Sequence, residues 1–273
     1  MWPASHVEKY LPTQQSGFRR NDSTEFQLAR IIHRLAKGLD DGNVPLTCYF
    51  DLSKAFDRVW HDGLLKKLHQ LGVRDLALQW LTNYLQDRQQ RVRVGAETSS
   101  WSAVPAGVPQ GSVLGPLLFL IYTSDITAII TRRDTECDLF ADDTALCTIA
   151  PTCAEAESGL QQSVVSTAQW LKDWKLEVNI SKTVVMETSR RPLPLQFSIQ
   201  INNTTLQRVP THKHLGIHIS HDLRWGCHVN HILSRAARQL CVLRRLRSSL
   251  SRAALCTFYK LYTRPSLDRK SVV

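Results

Sequence analysis

A chain of 273 residues has ample material for one large domain or two small ones, and its 43% hydrophobic and 21% charged content is that of a globular protein rather than a disordered or fibrous one. No apolar run approaches the ~20 residues a membrane-spanning helix needs, and the N-terminus lacks the basic-then-apolar pattern of a signal peptide, so an intracellular protein with no membrane partner is expected. The formal net charge is +10, and seven scattered cysteines without a CxxC pair argue for a reducing compartment and against a disulfide framework.

In chain order, the residues up to about Thr13 show no clear periodicity, and Gln15-Ser16-Gly17-Phe18-Arg19-Arg20 reads as a turn. Ser23 or Thr24 caps a helix carrying Phe26, Leu28, Ile31, Ile32 and Leu35, with Gly38 near its end. After the loop Asp40-Asp41-Gly42-Asn43, residues 44–52 form a strand that is apolar on both faces and therefore lies inside a sheet. Asp51 then falls at its C-terminal end. A helix follows with Leu64, Leu65, Leu68 and Leu71 at helical spacing and Gly72 as its stop. A second starts at about Asp75, with Leu76, Trp80 and Tyr84 on one stripe. Residues 90–94 alternate Arg and Val as a half-exposed strand with its basic side chains outward. The Gly- and Pro-rich run 104–116 leads into an apolar helix over 117–121.

Leu139-Phe140 and Ala145-Leu146-Cys147-Thr148-Ile149 flank Asp142-Asp143, which predicts a tight β-hairpin with two adjacent carboxylates at its tip. Local hydrogen bonds explain Asp in a turn, but two ionised neighbours repel each other and call for a cation. Leu160, Val164, Ala168, Leu171 and Trp174 then mark an amphipathic helix. The turn Asn179-Ile180-Ser181 precedes a strand over 182–186. The Pro-spotted stretch 190–210 holds short strands at 196–201 and 206–209, and 214–219 alternates as another. From about 228 to 262 the chain is helical and basic. Between Asp222 and Asp268 there is no acidic residue, while nine cations, Arg235, Arg238, Arg244 and Arg245 among them, fall in that interval. Such a concentration is the electrostatic footprint of a polyanion partner. His212, His214, His218, His221, His228 and His231, with Cys227, fit no zinc-ligand spacing and read as ordinary surface or core residues.

Helices and strands mix without βαβ regularity and end in helices, which predicts an α+β fold on an antiparallel sheet with a helical C-terminal extension. If the strand ending at Asp51 neighbours the hairpin, three carboxylates converge. Hard oxygen ligands of this kind suit Mg²⁺, and two such ions ~3.5–4 Å apart stabilise the attacking and leaving oxygens of an in-line phosphoryl displacement. With a basic extension for a polyanion, this is the outline of a nucleotidyl transferase.

Three segments carry a family resemblance: 50–57 (Phe50-Asp51-Leu52-Ser53-Lys54-Ala55-Phe56-Asp57), 106–116 around Pro109-Gln110-Gly111, and Phe140-Ala141-Asp142-Asp143. In this order they resemble the signature motifs of reverse transcriptases. With Gly17-Phe18-Arg19 upstream, and Asn179, Lys182-Thr183 and His214-Leu215-Gly216 downstream, the wording is similar to the enzymes of LINE-type (non-long-terminal-repeat) retrotransposons. The resemblance covers about 14–268. It implies a right-hand polymerase fold, with partial fingers and an antiparallel-sheet palm over 1–220 and the start of a basic helical thumb over 221–273.

The resemblance further implies an RNA-directed DNA polymerase that adds deoxynucleoside triphosphates to a DNA primer on an RNA template. Asp51 and Asp142 would hold two Mg²⁺ ions (Mn²⁺ as the alternative), with Asp143 the second acid of the pair. The backbone from Leu52 would approach the triphosphate, and Phe56 would exclude a ribose 2′-hydroxyl, although its spacing equally suits a core aromatic. Gln110 and Gly111 would line the nucleotide and template pocket, where Gly107, Gly111 and Gly115 let backbone approach a base pair. Lys182 would sit near the leaving pyrophosphate; by itself it reads as a surface lysine at a turn. His214-Leu215-Gly216 would grip the primer end, Arg235, Arg238, Arg244 and Arg245 would track the template–primer backbone, and Arg19 falls in the fingers motif. Nuclear action is implied by the family alone. The resemblance thins ahead of Gln15, where Met1-Trp2-Pro3 opens the chain, and departs at Arg269-Lys270. The expectation is therefore a fragment of a larger element or a truncated relic. A catalytically silent nucleic-acid-binding remnant and an intron-encoded maturase are the competing readings.

Overall fold

The structure is a computed structural model and describes residues 8–190 and 196–267. Met1-Trp2-Pro3, Asp268, Arg269 and Lys270 lie outside the described residues. The chain divides into two compact units, Met1–Val209 and Pro210–Val273.

In the first unit, helix α1 (Thr24–Asp40) begins where Ser23 leaves the helical conformation and its side chain accepts a hydrogen bond from the Phe26 amide. Leu28, Ile31 and Leu35 are buried on one stripe. Strand β1 (Val44–Phe50) is buried at every position. The reason is its place in a five-stranded sheet of order β11-β8-β1-β7-β6, where β6 is Thr135–Phe140, β7 Asp143–Ala150, β8 Val184–Glu187 and β11 Gln207–Arg208. All pairings are antiparallel except β11 with β8.

Helices cover both faces of this sheet. A methyl group on Gly38 of α1 would press on Ile149 and Pro45, whereas one on Gly159 of α5 (Cys153–Asp173) would press on Thr148. Ile149 and Thr148 are neighbours on β7 and point to opposite faces. Arg34 of α1 also grips Asp138 of β6 with a two-pronged hydrogen bond of 2.8 and 2.9 Å.

Helices α2 (His61–Gln70), α3 (Asp75–Leu85) and α4 (Leu114–Thr123) extend the same core through Leu64, Leu68, Leu85, Leu118 and Phe119. Two expectations change here. Of the stripe Leu76, Trp80 and Tyr84 on α3, only Tyr84 packs against the core, since Leu76 is 81% and Trp80 57% exposed. Leu78, Leu81 and Leu85 pack inward instead. Both stripes have helical spacing, so periodicity alone could not choose between them. The strand expected at 90–94 is replaced by two-residue pieces in two small exposed ladders, β2 (Gln89–Gln90) with β5 (Ser102–Ala103) and β3 (Arg93–Val94) with β4 (Glu97–Thr98). No apolar layer covers them, so nothing favours extending them. Helix α4 starts three residues earlier than expected, with Pro116 in its first turn, where a missing N–H leaves no bond unmade.

In the second unit, β12 (Thr211–His214) and β13 (Ile217–Ser220) form a hairpin whose Leu215-Gly216 turn has positive φ at both residues. Helix α6 (Gly226–Leu246) packs on it, and the His228 ring accepts a hydrogen bond from the His218 amide at 3.4 Å. This contact makes the hairpin part of the helical unit. The basic stretch is not one helix: α7 (Arg252–Phe258) begins afresh at Ser251, whose hydroxyl caps the Ala254 amide.

Candidate active site

Asp51 follows directly on β1, and its backbone is fixed from one side by the turn before β8. The Asp51 amide donates to the Thr183 hydroxyl at 3.2 Å, and the Asn179 amide donates to the Asp51 carbonyl at 2.8 Å. Ser53 donates to Glu177, and Leu52 bridges Val178, so the chain leaving β1 stays extended beside that turn. On the other side, the register pairs Phe50 with Thr144. One residue further, Asp51 stands beside Asp143. Phe140 pairs with Asp143 to close the hairpin, leaving Ala141-Asp142 as a two-residue turn with Ala141 at φ 56°.

The three carboxylates therefore gather at one end of the sheet. Burial raises the Asp143 carboxyl to about 6, and the charges of Asp142 and Asp51 add to the push. Burial also raises Asp142, with Asp51 contributing. Asp143 still meets solvent on its outer side, so water screens part of this effect. Among the described residues no lysine or arginine forms an ion pair with any of the three. Nor does any group of three His, Cys, Asp or Glu side chains close into a metal-ligand set among them. An uncompensated, open cluster of carboxylates fits Mg²⁺, which keeps waters and completes its shell with substrate phosphates.

Next to this end of the sheet the chain turns at Lys54, which has φ 52°, into the short 3-10 turn Ala55–Arg58. The Phe56 ring is held against Phe119 of α4 with centroids 4.2 Å apart. The Gly- and Pro-rich loop docks on this turn, Gly107 donating to Val59 and Val108 to Phe56. Gln110 donates to the Asp57 carboxylate at 2.9 Å. Lys54, Asp57, Arg88, Gln90, Gly107 and Gln110 line an open cleft of about 670 Å³. Two glycine expectations are corrected here. A side chain on Gly107 would strike the Asp57 backbone at 2.8 Å, and one on Gly115 the Pro109 carbonyl at 2.6 Å, so both serve packing within the chain. Of the three, Gly111 has open space around it, at φ 79°.

Comparison with known proteins bears directly on this arrangement. The family model described as reverse transcriptase (RNA-dependent DNA polymerase) matches residues 3–219. The chain belongs to the reverse transcriptase family. It is 35% identical over 250 residues to a probable RNA-directed DNA polymerase from transposon BS of Drosophila melanogaster, covering 87% of this chain and 27% of that protein. It is 31% identical over 269 residues to the polymerase of the mobile element jockey of the same species, covering 96% and 29%. The chain thus spans under a third of the length of these curated relatives. A solved apo telomerase of Candida tropicalis superposes with a TM-score of 0.55 at 14% identity, over 79% of this chain and 42% of that one. Telomerase of Candida albicans with a telomeric RNA fragment gives 0.52 at 14% identity, over 97% and 51%. At that identity the likeness concerns the fold: the five-stranded sheet is the palm of a reverse transcriptase.

Within this reverse transcriptase palm, Asp51, Asp142 and Asp143 come together, with Leu52 and Phe56 on the adjoining turn. Lys182 is exposed on the turn that holds the Asp51 backbone. His214 is buried, 3% exposed, so Gly216 is the exposed tip of its hairpin. Arg235, Arg238, Arg244 and Arg245 are all exposed on α6. Arg19 donates to the carbonyls of Pro12 and Gln15, an internal brace. Two residues escaped sequence reasoning. Thr183 gave only its place in Lys182-Thr183 and no sign of this contact, since a threonine in a strand is commonplace. Gln15 gave only its place two residues before Gly17.

No helix among the described residues is long and apolar enough to cross a membrane.

Proposed function

We propose that this chain is the polymerising domain of a retrotransposon RNA-directed DNA polymerase, extending a DNA primer on an RNA template with deoxynucleoside triphosphates, in the nucleus. The observation that carries this reading is the convergence of Asp51 with Asp142 and Asp143 at one end of the palm sheet, where burial first and the neighbouring charges second raise Asp143 to about 6, with no lysine or arginine among the described residues paired to them. Asp51 and Asp142 would hold two Mg²⁺ ions, or Mn²⁺ in their place, with Asp143 as the supporting acid. Ions bound there neutralise the carboxylates and the triphosphate and stabilise charge on the entering and leaving oxygens. In the transfer, the primer 3′ oxygen bonds to the α-phosphorus as the bond to pyrophosphate breaks and the hydroxyl proton is lost to solvent.

The chain's own residues would supply the rest. Leu52 and the backbone after it border the triphosphate, and Phe56, held by Phe119, excludes a 2′-hydroxyl. Gln110 and Gly111 face the templated base across the cleft, and the Lys182 ammonium offsets charge on the leaving pyrophosphate. In the second unit, the exposed arginines of α6 and the β12–β13 turn would hold the template–primer backbone.

The test is incorporation of a radiolabelled deoxynucleotide on an RNA template with a DNA primer. The chain is expected to extend the primer with Mg²⁺ and not with a chelator, and Asp142→Ala to lose at least about a thousandfold, the scale of a lost charge-stabilising group. Equal incorporation by Asp142→Ala would refute the site. Salt-sensitive binding of the template–primer without any incorporation by the unmodified chain would favour the silent nucleic-acid-binding reading.

A further inference from the structure

Gln15 has a polar side chain that is almost fully buried, 1% exposed, and its placement is unusual. Its Oε1 accepts two backbone hydrogen bonds, from Gly17 at 2.8 Å and from Ala141 at 3.0 Å. Ala141 is the first residue of the turn that presents Asp142, and at φ 56° it occupies the left-handed region that an L side chain disfavours and glycine accepts. Something outside the turn must hold it there.

The segment around Gln15 is built to do so. The Ser16 amide donates to Leu139 at 2.8 Å and the Leu139 amide to Gln14 at 3.1 Å, so Gln15 lies parallel to β6 as an added rung of the sheet. Gly17 lies so close that a methyl group on it would collide with the Ala141 amide nitrogen. The rung is itself braced: Arg19 donates to Pro12 and Gln15, and Arg30 to the Ser16 hydroxyl and to Asp22. Gln15 and Gly17, which sequence reasoning treats as part of a turn, thus meet at one amide of this hairpin.

We infer that Gln15 is a positioning residue: its carboxamide oxygen fixes the Ala141-Asp142 turn and thereby orients the Asp142 carboxylate relative to Asp51. The inference rests on the reading of these aspartates as the cation-binding pair. Groups that orient a ligand without touching the metal commonly change affinity by an order of magnitude or more.

The test uses the full chain and Mn²⁺ as a spin probe, titrated by electron paramagnetic resonance without nucleic acid. Asp142→Asn is the control for the pair: if it leaves Mn²⁺ binding unchanged, the cation-site reading and this inference both fall. If Asp142→Asn weakens binding, Gln15→Met is expected to weaken it by about tenfold or more while the circular dichroism and melting temperature stay near those of the unmodified chain. Mn²⁺ binding by Gln15→Met equal to that of the unmodified chain overturns the inference and leaves the site standing. The double variant Gln15→Met with Ala141→Gly separates positioning from mere anchoring. Glycine adopts the turn unaided, so most of the lost affinity is expected to return, and failure to return overturns the role. Should Gln15→Met not fold, exchange of the Ala141 amide in the unmodified chain decides. It is expected to be slower than in an unfolded peptide by at least about a hundredfold, and exchange at the unfolded rate overturns the proposal.

Discussion

Carboxylates gathered with no ion-pair partner among the described residues are expected to make the metal-free protein less stable, and the sign of that effect can be measured. The Asp143 carboxyl is raised from 3.8 to about 6 on folding, because burial and the charges of Asp142 and Asp51 disfavour its ionised form. A carboxyl raised in this way favours the folded state fully below its unfolded value and loses that contribution as pH rises through its folded one. Asp143→Asn is therefore expected to raise the melting temperature of the metal-free chain at about pH 8 and to leave it unchanged near pH 3.5. No difference at about pH 8 would show that the carboxylates are not crowded. Phe56 makes a second prediction at this scale. Phe56→Ala is expected to reduce the preference for deoxy- over ribonucleotides, measured as a ratio of kcat/KM values, by about ten- to a hundredfold. An unchanged ratio would leave Phe56 as a core aromatic stacked on Phe119.

At the scale of elements, legibility in the sequence followed the number of independent constraints. Strand β1 was readable because a run apolar on both faces fits only an interior strand, and Leu46, Cys48 and Tyr49 are buried as that requires. Leu46→Ala is expected to cost about 2–5 kcal/mol in chemical denaturation, with a value under ~1 contradicting its central position. The inward stripe of α3 was not readable, because two apolar stripes with the same period compete and only the packed core selects one. Gly107 and Gly115 looked like ligand-facing glycines, yet they face Asp57 and Pro109, and close approach within a chain leaves the same mark as close approach to a substrate. Lys67 of α2 has no sequence feature that sets it apart from any other lysine on a helix. It is buried over the Trp174 ring at 3.5 Å, paired with Asp125, and burial lowers its ammonium to about 8. The unfolded chain binds that proton up to 10.5, so stability relative to Lys67→Met is expected to rise by about 2–3 kcal/mol between pH 8 and 10.5. A flat difference would mean that Lys67 reaches water.

For the whole molecule, charge distribution was the most legible property, since it depends on composition rather than packing. The acid-free interval becomes the second unit's helices, with Arg235, Arg238, Arg244 and Arg245 all exposed on α6. Replacing these four by Gln is expected to reduce the salt slope of template–primer binding by up to about 3.6, if each contacts one phosphate. An unchanged slope would assign phosphate contact elsewhere. The candidate site was legible for a different reason. Asp51 is far in sequence from the adjacent pair Asp142 and Asp143, but each terminates or tips a strand whose register the hydrophobic pattern sets. What could not be read was the scaffolding that holds them, Thr183 and Gln15, because a hydrogen bond to a distant backbone amide leaves no periodic trace. The central claim is that Asp51 belongs to a polymerase site formed with the hairpin. Single-turnover addition of one deoxynucleotide to a DNA primer on RNA, compared between the unmodified chain and Asp51→Asn, tests it most directly. The rate constant is expected to fall by about a thousandfold or more with template–primer affinity unchanged, and an equal rate would contradict the account.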